Sequence, residues 1–293
     1  MEKIKIGTRA SKLALWQANF VAQILQENFP VEIIKIQTTG DKILDAPLAK
    51  IGGKGLFTKE IENALLENKI DLAVHSLKDV PSELPAGFEI AAITRRENPF
   101  DAFVSNNFES LEYLPSGAVV GTSSLRRAAQ ILNLRPDLKI ENLRGNVDTR
   151  LKKLDAGNFD AVILAAAGLE RLGYGDRIKK ILTEIIPAAG QGALAIEIRA
   201  GDKKIADAVK ILHDEKTCAA VKFERDFLRE IGGGCQIPVG VIAEENSARA
   251  VIASADGKKI LRDSTENLDG ATFAEKMLAS GGREILDFAL GFN

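Results

Sequence analysis

The sequence predicts an α/β protein of three domains, and three observations lead to this prediction. Short apolar stretches alternate with helix-like patterns over the first two thirds of the chain. The alternation forms two successive series, which predicts two similar domains, each made of βαβ units around a largely parallel sheet. After Cys235 the pattern changes to short strands separated by turn signals, which is typical of a small α+β domain.

Composition narrows the class of protein. A length of 293 residues fits two or three domains, and 45% hydrophobic with 27% charged residues is ordinary for a globular protein. Lys and Arg total 39 against 41 Asp and Glu, a net charge of −2, so the sequence gives no sign of duplex nucleic-acid binding. With two cysteines and two histidines, neither a disulfide framework nor a cysteine zinc site is expected, and no metal is predicted.

The chain shows no feature of membrane insertion or secretion. The longest apolar run covers 161–167, far below the roughly 20 residues that span a bilayer. The first five residues contain no apolar core of a signal peptide. We therefore expect a cytoplasmic protein without a membrane partner.

The first series contains three predicted strands. They cover 4–6, 32–38 and 71–76, and the first ends at Gly7. Ser11 is the predicted N-cap of a helix that buries Leu15, Ala18 and Ala22, and a second helix is predicted over 58–67. Between them, 39–56 is a long polar loop with four glycines and one proline; loops of that length are usually functional or mobile.

The second series repeats this order. Strands are predicted at 118–121, 139–143 and 160–164, with helices from Ser123 and over 147–156. A further strand at 193–198 follows the turn Gly190-Gln191-Gly192. If that strand returns to the first sheet, the chain crosses between the domains twice and forms a two-stranded hinge. The predicted domains are then 1–94 with 191–213, 95–190, and 215–293.

The third predicted domain is the small one. Its strands are expected at 239–243, 248–254 and 259–263, with a hairpin signal at Asp256-Gly257 and a final helix over 283–290.

Arginines recur where predicted strands give way to helices. Ligands of open α/β sheets bind beyond the carboxyl ends of the strands, and arginine binds carboxylates or phosphates through two parallel hydrogen bonds. The pattern therefore predicts a site for a small polyanion, although any one of these arginines could equally be a solvated surface residue. The residues concerned are Arg9, Arg126, Arg127, Arg144, Arg150 and Arg171.

Three further segments carry candidate chemistry. Lys50 and Lys54 lie among glycines in a loop that lacks P-loop spacing, so a phosphate-binding loop and a flexible surface loop stay open. Lys78 and Asp79 follow a buried strand and are placed for charge or proton handling, whereas His75 is predicted to be a core histidine. Cys235 lies in a glycine-rich loop, where nucleophilic or covalent use and simple burial are both open, unlike Cys218 in a helical pattern.

Seven segments together resemble one family. They begin at Gly7 (GTRASKLALWQA), Pro47 (PLAKIGGKGLF), His75 (HSLKDVP), Gly121 (GTSSLRR), Leu143 (LRGNVDTR), Pro187 (PAAGQGA) and Gly233 (GGCQIP). In this order they resemble the porphobilinogen deaminases, also called hydroxymethylbilane synthases, from the start of the chain to Pro238. The last 50 or so residues match only in length and texture.

The resemblance implies a transferase of tetrapyrrole, and thus porphyrin and heme, biosynthesis. Such an enzyme condenses four porphobilinogen molecules head to tail, releases ammonia at each step, and hydrolyses the product off as hydroxymethylbilane. It implies a dipyrromethane cofactor joined by a thioether to Cys235, and a monomer. The implied fold has two domains that resemble solute-binding proteins, with a cleft between them, and a small third domain.

The resemblance also assigns residues. Asp79 would be the catalytic carboxylate. The cofactor would contact Lys78, Ser124, Arg126, Arg127, Arg144 and Gly145, besides the covalent bond to Cys235. The substrate would contact Arg9, Ser11, Lys50, Lys54, Phe57, Arg150, Arg171 and Gln191, with Gln191 at the hinge.

The resemblance and the residue chemistry agree on Asp79. The aminomethyl group of porphobilinogen resembles lysine, whose pKa is about 10, so it is already an ammonium leaving group at pH 7. Asp79 is therefore expected to accept hydrogen bonds from pyrrole N–H groups, to stabilise the cation left by ammonia, and to help remove the α-proton afterwards.

Two other functions account for part of the pattern. A non-catalytic two-domain binder of a small polycarboxylate would need the arginines and the hinge, but neither Asp79 beside Lys78 nor Cys235 on a glycine loop. A phosphate-ester transferase would normally show metal-binding carboxylates or a P-loop, and neither is seen.

Overall fold

The computed structural model describes residues 3–42, 58–233, 237–267 and 269–290. Within them the strands are β1 Ile4–Arg9, β2 Val31–Ile36, β3 Leu72–Ser76, β4 Phe88–Ile93, β5 Asp101–Val104, β6 Val119–Gly121, β7 Lys139–Glu141, β8 Ala161–Ala165, β9 Lys180–Leu182, β10 Leu194–Arg199, β11 Val239–Ala243, β12 Ala248–Ala253 and β13 Ile260–Thr265. The helices are α1 Lys12–Leu25, α2 Thr39–Lys42, α3 Lys59–Leu66, α4 Leu125–Leu134, α5 Val147–Asp155, α6 Ala166–Arg171, α7 Lys203–Val209, α8 Glu215–Glu230, α9 Gly270–Met277 and α10 Arg283–Leu290.

The first sheet has the strand order β2-β1-β3-β10-β4. β1 pairs in parallel with β2 and β3, whereas β10 runs antiparallel to β3 and β4. The amphipathic helix α1 buries Ala18, Val21 and Leu25 against this sheet, where they meet Ile6 and Leu72 in one core. Leu15, expected in the core, is only half-buried.

The second sheet repeats that arrangement, with the order β7-β6-β8-β5-β9. β6 pairs in parallel with β7 and β8, and β5 runs antiparallel to β8 and β9. The prediction of two similar α/β units is confirmed. The prediction of largely parallel sheets is wrong, because two of the four strand pairings in each sheet are antiparallel.

The chain crosses between the two sheets twice, from β4 to β5 and from β9 to β10, so the predicted return to the first sheet is confirmed. The crossings touch through their backbones, where the amide of Glu97 donates to the carbonyl of Gly192 over 3.2 Å. Gly192 has a φ of +94°, and a Cβ there would lie 2.5 Å from the Glu97 carbonyl oxygen. Glycine is therefore required for the crossings to approach this closely.

The third sheet is antiparallel, in the order β11-β12-β13, and is covered by α8, α9 and α10. Its β12–β13 hairpin turns at Gly257, which has a φ of +71°, as the sequence predicted. In the core under this sheet, the ring of Phe273 packs at a tilt against those of Phe223 and Phe227. No helix in the described part of the chain combines the length and the apolar character needed to cross a bilayer.

One buried carboxylate ties the third sheet to both crossings. Glu224 of α8 binds the Arg96 guanidinium through two hydrogen bonds of 2.6 and 3.0 Å. Its oxygens also accept from the amides of Gly190, at 2.7 Å, and Ala243, at 2.9 Å. Glu224 is fully buried, so these four bonds fix α8 at the place where the chain passes between the first two sheets.

Candidate active site

A cleft opens at the carboxyl ends of β1 and β3, where open α/β sheets bind their ligands. It is lined by Arg9, Ser11, Gln17, Ser76 and Asp79, among other residues. Arg9 is the last residue of β1 rather than a residue after it, because the strand extends beyond the predicted end at Gly7. The amide of Gln17 donates to the Ser76 hydroxyl over 2.7 Å, which joins α1 to the end of β3.

Ser11 is the N-cap of α1, as predicted, and its hydroxyl accepts from the amide of Ala14. Ser124 caps α4 in the same way by accepting from the Arg127 amide. Each hydroxyl therefore lies at a helix N-terminus, where unpaired N–H groups and the helix dipole favour an anion.

Lys78 and Asp79 lie in one turn of 3-10 helix directly after β3. The turn directs the exposed Asp79 towards the cleft and the half-buried Lys78 towards the crossings, where its ammonium donates to Gln191 Oε1 over 3.1 Å. Burial of the ammonium, with repulsion from Arg127, lowers the pKa of Lys78 to about 8. Asp79 opposes this shift, since its carboxylate attracts the ammonium.

A buried carboxylate organises the two consecutive arginines. Asp101 accepts from Arg126 over 2.8 Å, from Arg127 over 2.6 Å and from Gln191 Nε2 over 2.8 Å. The two guanidiniums hold the pKa of the Asp101 carboxyl far below its usual range, although burial alone would raise it. The chain Lys78–Gln191–Asp101 thus links the end of β3 to the second sheet through the crossings.

Much of the hydrogen-bonding capacity of Arg126 and Arg127 goes to the protein itself. Arg126 also donates to the Ile186 carbonyl over 2.8 Å, and Arg127 donates to the Ile163 carbonyl over 2.9 Å. Both side chains are buried. Besides carrying positive charge, they hold the second sheet against the crossing segments.

Arg144, Gly145 and Arg150 surround the N-terminus of α5. The Arg150 Nε donates to the Gly145 carbonyl over 2.8 Å. Gly145 has a φ of +113°, and a Cβ there would lie 2.7 Å from Thr149, so the tight turn requires glycine. Burial and the charges of Arg127 and Arg144 lower the pKa of Arg150 to about 10, and Asp79 opposes the shift, so these charges act on one another in one region.

Arg171, the last residue of α6, bridges the sheets. It donates to the Gly192 carbonyl over 2.7 Å, and its guanidinium carbon lies 5.6 Å from the ring centre of Trp16 on α1. At this distance the cation and the aromatic face attract each other.

Two buried guanidinium N–H groups have no acceptor among the described residues: Nε of Arg127 and Nε of Arg171. A buried N–H without a partner costs free energy, so an incoming acceptor at either position would be favoured. Carboxylate groups are suitable acceptors, and a dipyrromethane built from porphobilinogen carries several. The residues present therefore fit that cofactor.

Four predicted site residues, Lys50, Lys54, Phe57 and Cys235, lie outside the described residues. Of the others, His75 is buried and its ring lies 2.9 Å from Glu197 Oε2, so the prediction of a satisfied core histidine is confirmed. Cys218 lies in α8 as predicted and packs partly against the core.

Sequence reasoning missed Asp101 and the Arg96–Glu224 pair. Asp101 opens the apolar strand Asp101–Val104, and a charged residue beside such a run was the available signal. Its partners are 25 to 90 residues away, so nothing local indicated what they were.

Solved structures align with much of this chain at low sequence identity. A periplasmic substrate-binding protein of an ABC transporter from Coxiella burnetii aligns over 74% of this chain and 94% of its own, with 15% identity and a TM-score of 0.48.

Sequence comparison is more specific. Residues 4–207 match the family model described as porphobilinogen deaminase, dipyromethane cofactor binding domain, and residues 218–279 match its C-terminal domain. The porphobilinogen deaminases of Maridesulfovibrio salexigens and Thiobacillus denitrificans are each 51% identical to this chain over 98% of its length and over 98% and 99% of their own. The chain belongs to the porphobilinogen deaminase family.

Proposed function

We propose that this chain is a transferase that condenses four porphobilinogen molecules head to tail and then adds water to release hydroxymethylbilane. The observation that carries the proposal is the position of Asp79. Its exposed carboxylate lines the cleft with Arg9 and Ser11 and interacts with the charges of Lys78 and Arg150. An exposed carboxylate close to several cations suits a substrate with two carboxylates and one ammonium.

The cations bind and orient the substrate. Porphobilinogen carries an acetate and a propionate, so each ring added to the growing chain brings two negative charges. Arg9 and Ser11 would hold these groups from the first sheet, and Arg150 and Arg171 from the second. Arginine keeps its charge throughout the working pH range and fixes the carboxylate plane through paired hydrogen bonds.

Asp79 acts on the reacting ring. The carbon–nitrogen bond of the aminomethyl group breaks, the nitrogen departs as ammonia, and positive charge spreads over the methylene carbon and the pyrrole. We assign to Asp79 the acceptance of a hydrogen bond from the pyrrole N–H, which stabilises this cation. After the methylene carbon bonds to the α-carbon of the preceding ring, the proton on that α-carbon leaves with Asp79 as the base.

Cys235 is assigned as the thioether attachment point of the dipyrromethane cofactor. When bound, the cofactor supplies the pyrrole ring to which the first substrate is joined. Lys78, Arg127 and Ser124 would hold its carboxylates, supported by the unpaired Nε of Arg127 and by the N-cap position of Ser124. Lys50, Lys54, Phe57 and Gln191 complete the proposed contacts.

The same proposal covers organisation and location. The three sheets are consistent with domains 1–94 with 191–213, 95–190, and 215–293. From family membership we infer a monomer that works in the cytoplasm.

The role of Asp79 is tested by Asp79→Asn. Consumption of porphobilinogen, followed by a colour reaction for free pyrrole, should fall to almost nothing while circular dichroism stays unchanged. The control is Glu83→Gln, which removes another exposed carboxylate four residues further on and should keep full activity. An Asp79→Asn protein that turns over normally would exclude this role.

The attachment point is tested by intact mass under denaturing conditions. The parent protein and Cys218→Ser should both carry the mass of a dipyrromethane after incubation with porphobilinogen, and Cys235→Ser should not. An adduct that persists in Cys235→Ser would place the cofactor elsewhere. If no protein gains mass and none consumes porphobilinogen, a polycarboxylate binder becomes the better account.

A further inference from the structure

An ion pair joins the two α/β units next to Ser11, which lines the cleft; we call this place the cleft mouth. Lys12 is the first residue of α1, which packs on the first sheet, and Asp148 is the second residue of α5, which packs on the second. The Lys12 Nζ lies 3.2 Å from Asp148 Oδ2. The pair therefore joins the two α/β units directly through side chains.

Asp148 is also held in place by a residue of its own unit. The Tyr174 hydroxyl donates to Asp148 Oδ1 over 2.5 Å, and Tyr174 packs partly against the core of the second unit. The hydrogen bond from Tyr174 and the charges of Lys12 and Lys152 lower the pKa of the Asp148 carboxyl. The Asp148 side chain is 14% exposed and that of Lys12 70%, so Asp148 is the largely buried partner and Lys12 the exposed one.

The pair lies beside two proposed substrate ligands. Ser11 precedes Lys12, and Arg150 lies two residues after Asp148 on the same helix. One helical turn beyond Lys12, Trp16 lies under the guanidinium of Arg171, the second contact across the mouth. The distance between α1 and α5 therefore sets how far apart the two sets of carboxylate-binding groups stand.

We propose that Asp148, with Tyr174 and Lys12, positions the substrate-binding residues for the condensation. These three side chains hold α1 against α5, so that Ser11 and Arg150 bind the same substrate from opposite sides. The proposal rests on the proposed function. An ion pair whose lysine is largely exposed contributes little free energy, so this contact can break and reform as rings are added. The ion pair therefore affects substrate affinity rather than the rate of the chemical step.

The test uses Lys12→Gln, Asp148→Asn and the double variant that combines them. The matched control is Lys3→Gln, because Lys3 and Glu32 form an equally long, exposed ion pair within the first unit alone. We expect the single variants to raise KM for porphobilinogen by roughly two- to fivefold with kcat nearly unchanged, as an exposed pair allows. The double variant should raise KM no further than either single variant, because both remove the same ion pair, and Lys3→Gln should leave KM unchanged.

A second readout does not depend on catalysis. Trp16 is the only tryptophan in the sequence, so fluorescence reports on the cleft mouth alone. Acrylamide should quench Trp16 more strongly in Lys12→Gln and Asp148→Asn than in the parent or in Lys3→Gln. In about 1 M salt, which screens charges beyond about 3 Å, these differences should largely disappear.

The outcomes separate the two proposals. Unchanged quenching in both single variants would show that the ion pair does not hold the mouth closed. Stronger quenching with an unaltered KM, or additive effects on KM in the double variant, would show that it does not position substrate. A parent protein that consumes no porphobilinogen would refute the proposed function, and the quenching comparison would still decide whether the ion pair closes the cleft.

Discussion

Asp101 is the carboxylate on which the positive side of the site depends. It is fully buried, and its two oxygens face Arg126, Arg127 and the Gln191 amide at 2.6 to 2.8 Å. Asp101→Asn keeps the shape of the side chain but removes its charge. It also places an NH2 group where one carboxylate oxygen had accepted hydrogen bonds, so donors then face donors.

The expected cost is large. The guanidinium side chains of Arg126 and Arg127 are only 6% and 7% exposed, so water cannot replace the lost counter-charge. Removing one partner of a buried ion pair costs about 3–5 kcal/mol. Since a domain is stable by about 5–15 kcal/mol, the substitution should remove a large share of the free energy of unfolding.

The measurement is urea unfolding followed both by Trp16 fluorescence and by circular dichroism. The matched control is Asp155→Asn, which removes the carboxylate that binds Arg177 at 2.6 Å, with side chains 48% and 31% exposed. Exposed pairs contribute about 0–1 kcal/mol, so this variant should unfold almost like the parent. If Asp101→Asn costs no more than Asp155→Asn, the network around Asp101 does not stabilise the fold as argued.

Three further predictions concern the crossings and the cations beside them. The pKa of Lys78 is lowered to about 8, so Lys78 loses its positive charge as the pH rises through 8. In the parent, kcat/KM for porphobilinogen should therefore fall above that pH, whereas in Lys78→Arg it should stay level to higher pH. Gly192→Ala should lower the thermal unfolding midpoint more than Gly201→Ala. Both glycines have a positive φ, which costs an alanine about 1 kcal/mol, but of the two only Gly192 would bring the new Cβ against backbone atoms. Equal shifts of the midpoint would contradict this. Glu224→Gln should cost about 3–5 kcal/mol in urea unfolding, because Arg96 loses its buried counter-charge, and an unchanged midpoint would count against this role.

Local sequence patterns predicted the parallel half of each sheet. Ser11 caps α1 and Ser124 caps α4 where the sequence placed helix starts, and β3, β6 and β8 lie within a residue or two of their predicted bounds. These features depend on neighbours in sequence, such as alternation and capping side chains. The strands β4, β5 and β9 were not predicted.

The antiparallel half depends on distant contacts. Whether β10 runs with or against β3 is decided by the route of the chain through the second sheet and back, not by the residues of β10. The direction of a strand leaves no periodic signal, since both kinds of pairing alternate side chains between faces.

The candidate site divides in the same way. The arginines at strand ends were predicted individually, because strand ends are visible in the sequence. Their buried partner Asp101 was not, and it changes the interpretation of two of them: Arg126 and Arg127 stabilise the fold as well as carrying charge towards the cleft. Contacts between residues of different sheets leave no local pattern in the sequence and are seen only in the structure.

The bonds of Glu224 fix α8 at the two crossings between the α/β units. If the units rotate about the crossings, each atom moves in proportion to its distance from them. The arginines of the second sheet would then move further than α8, which is bound at the crossings and leads towards the proposed attachment at Cys235. A chain of rings attached there would keep its first ring nearly still while the units rotate to admit each new ring.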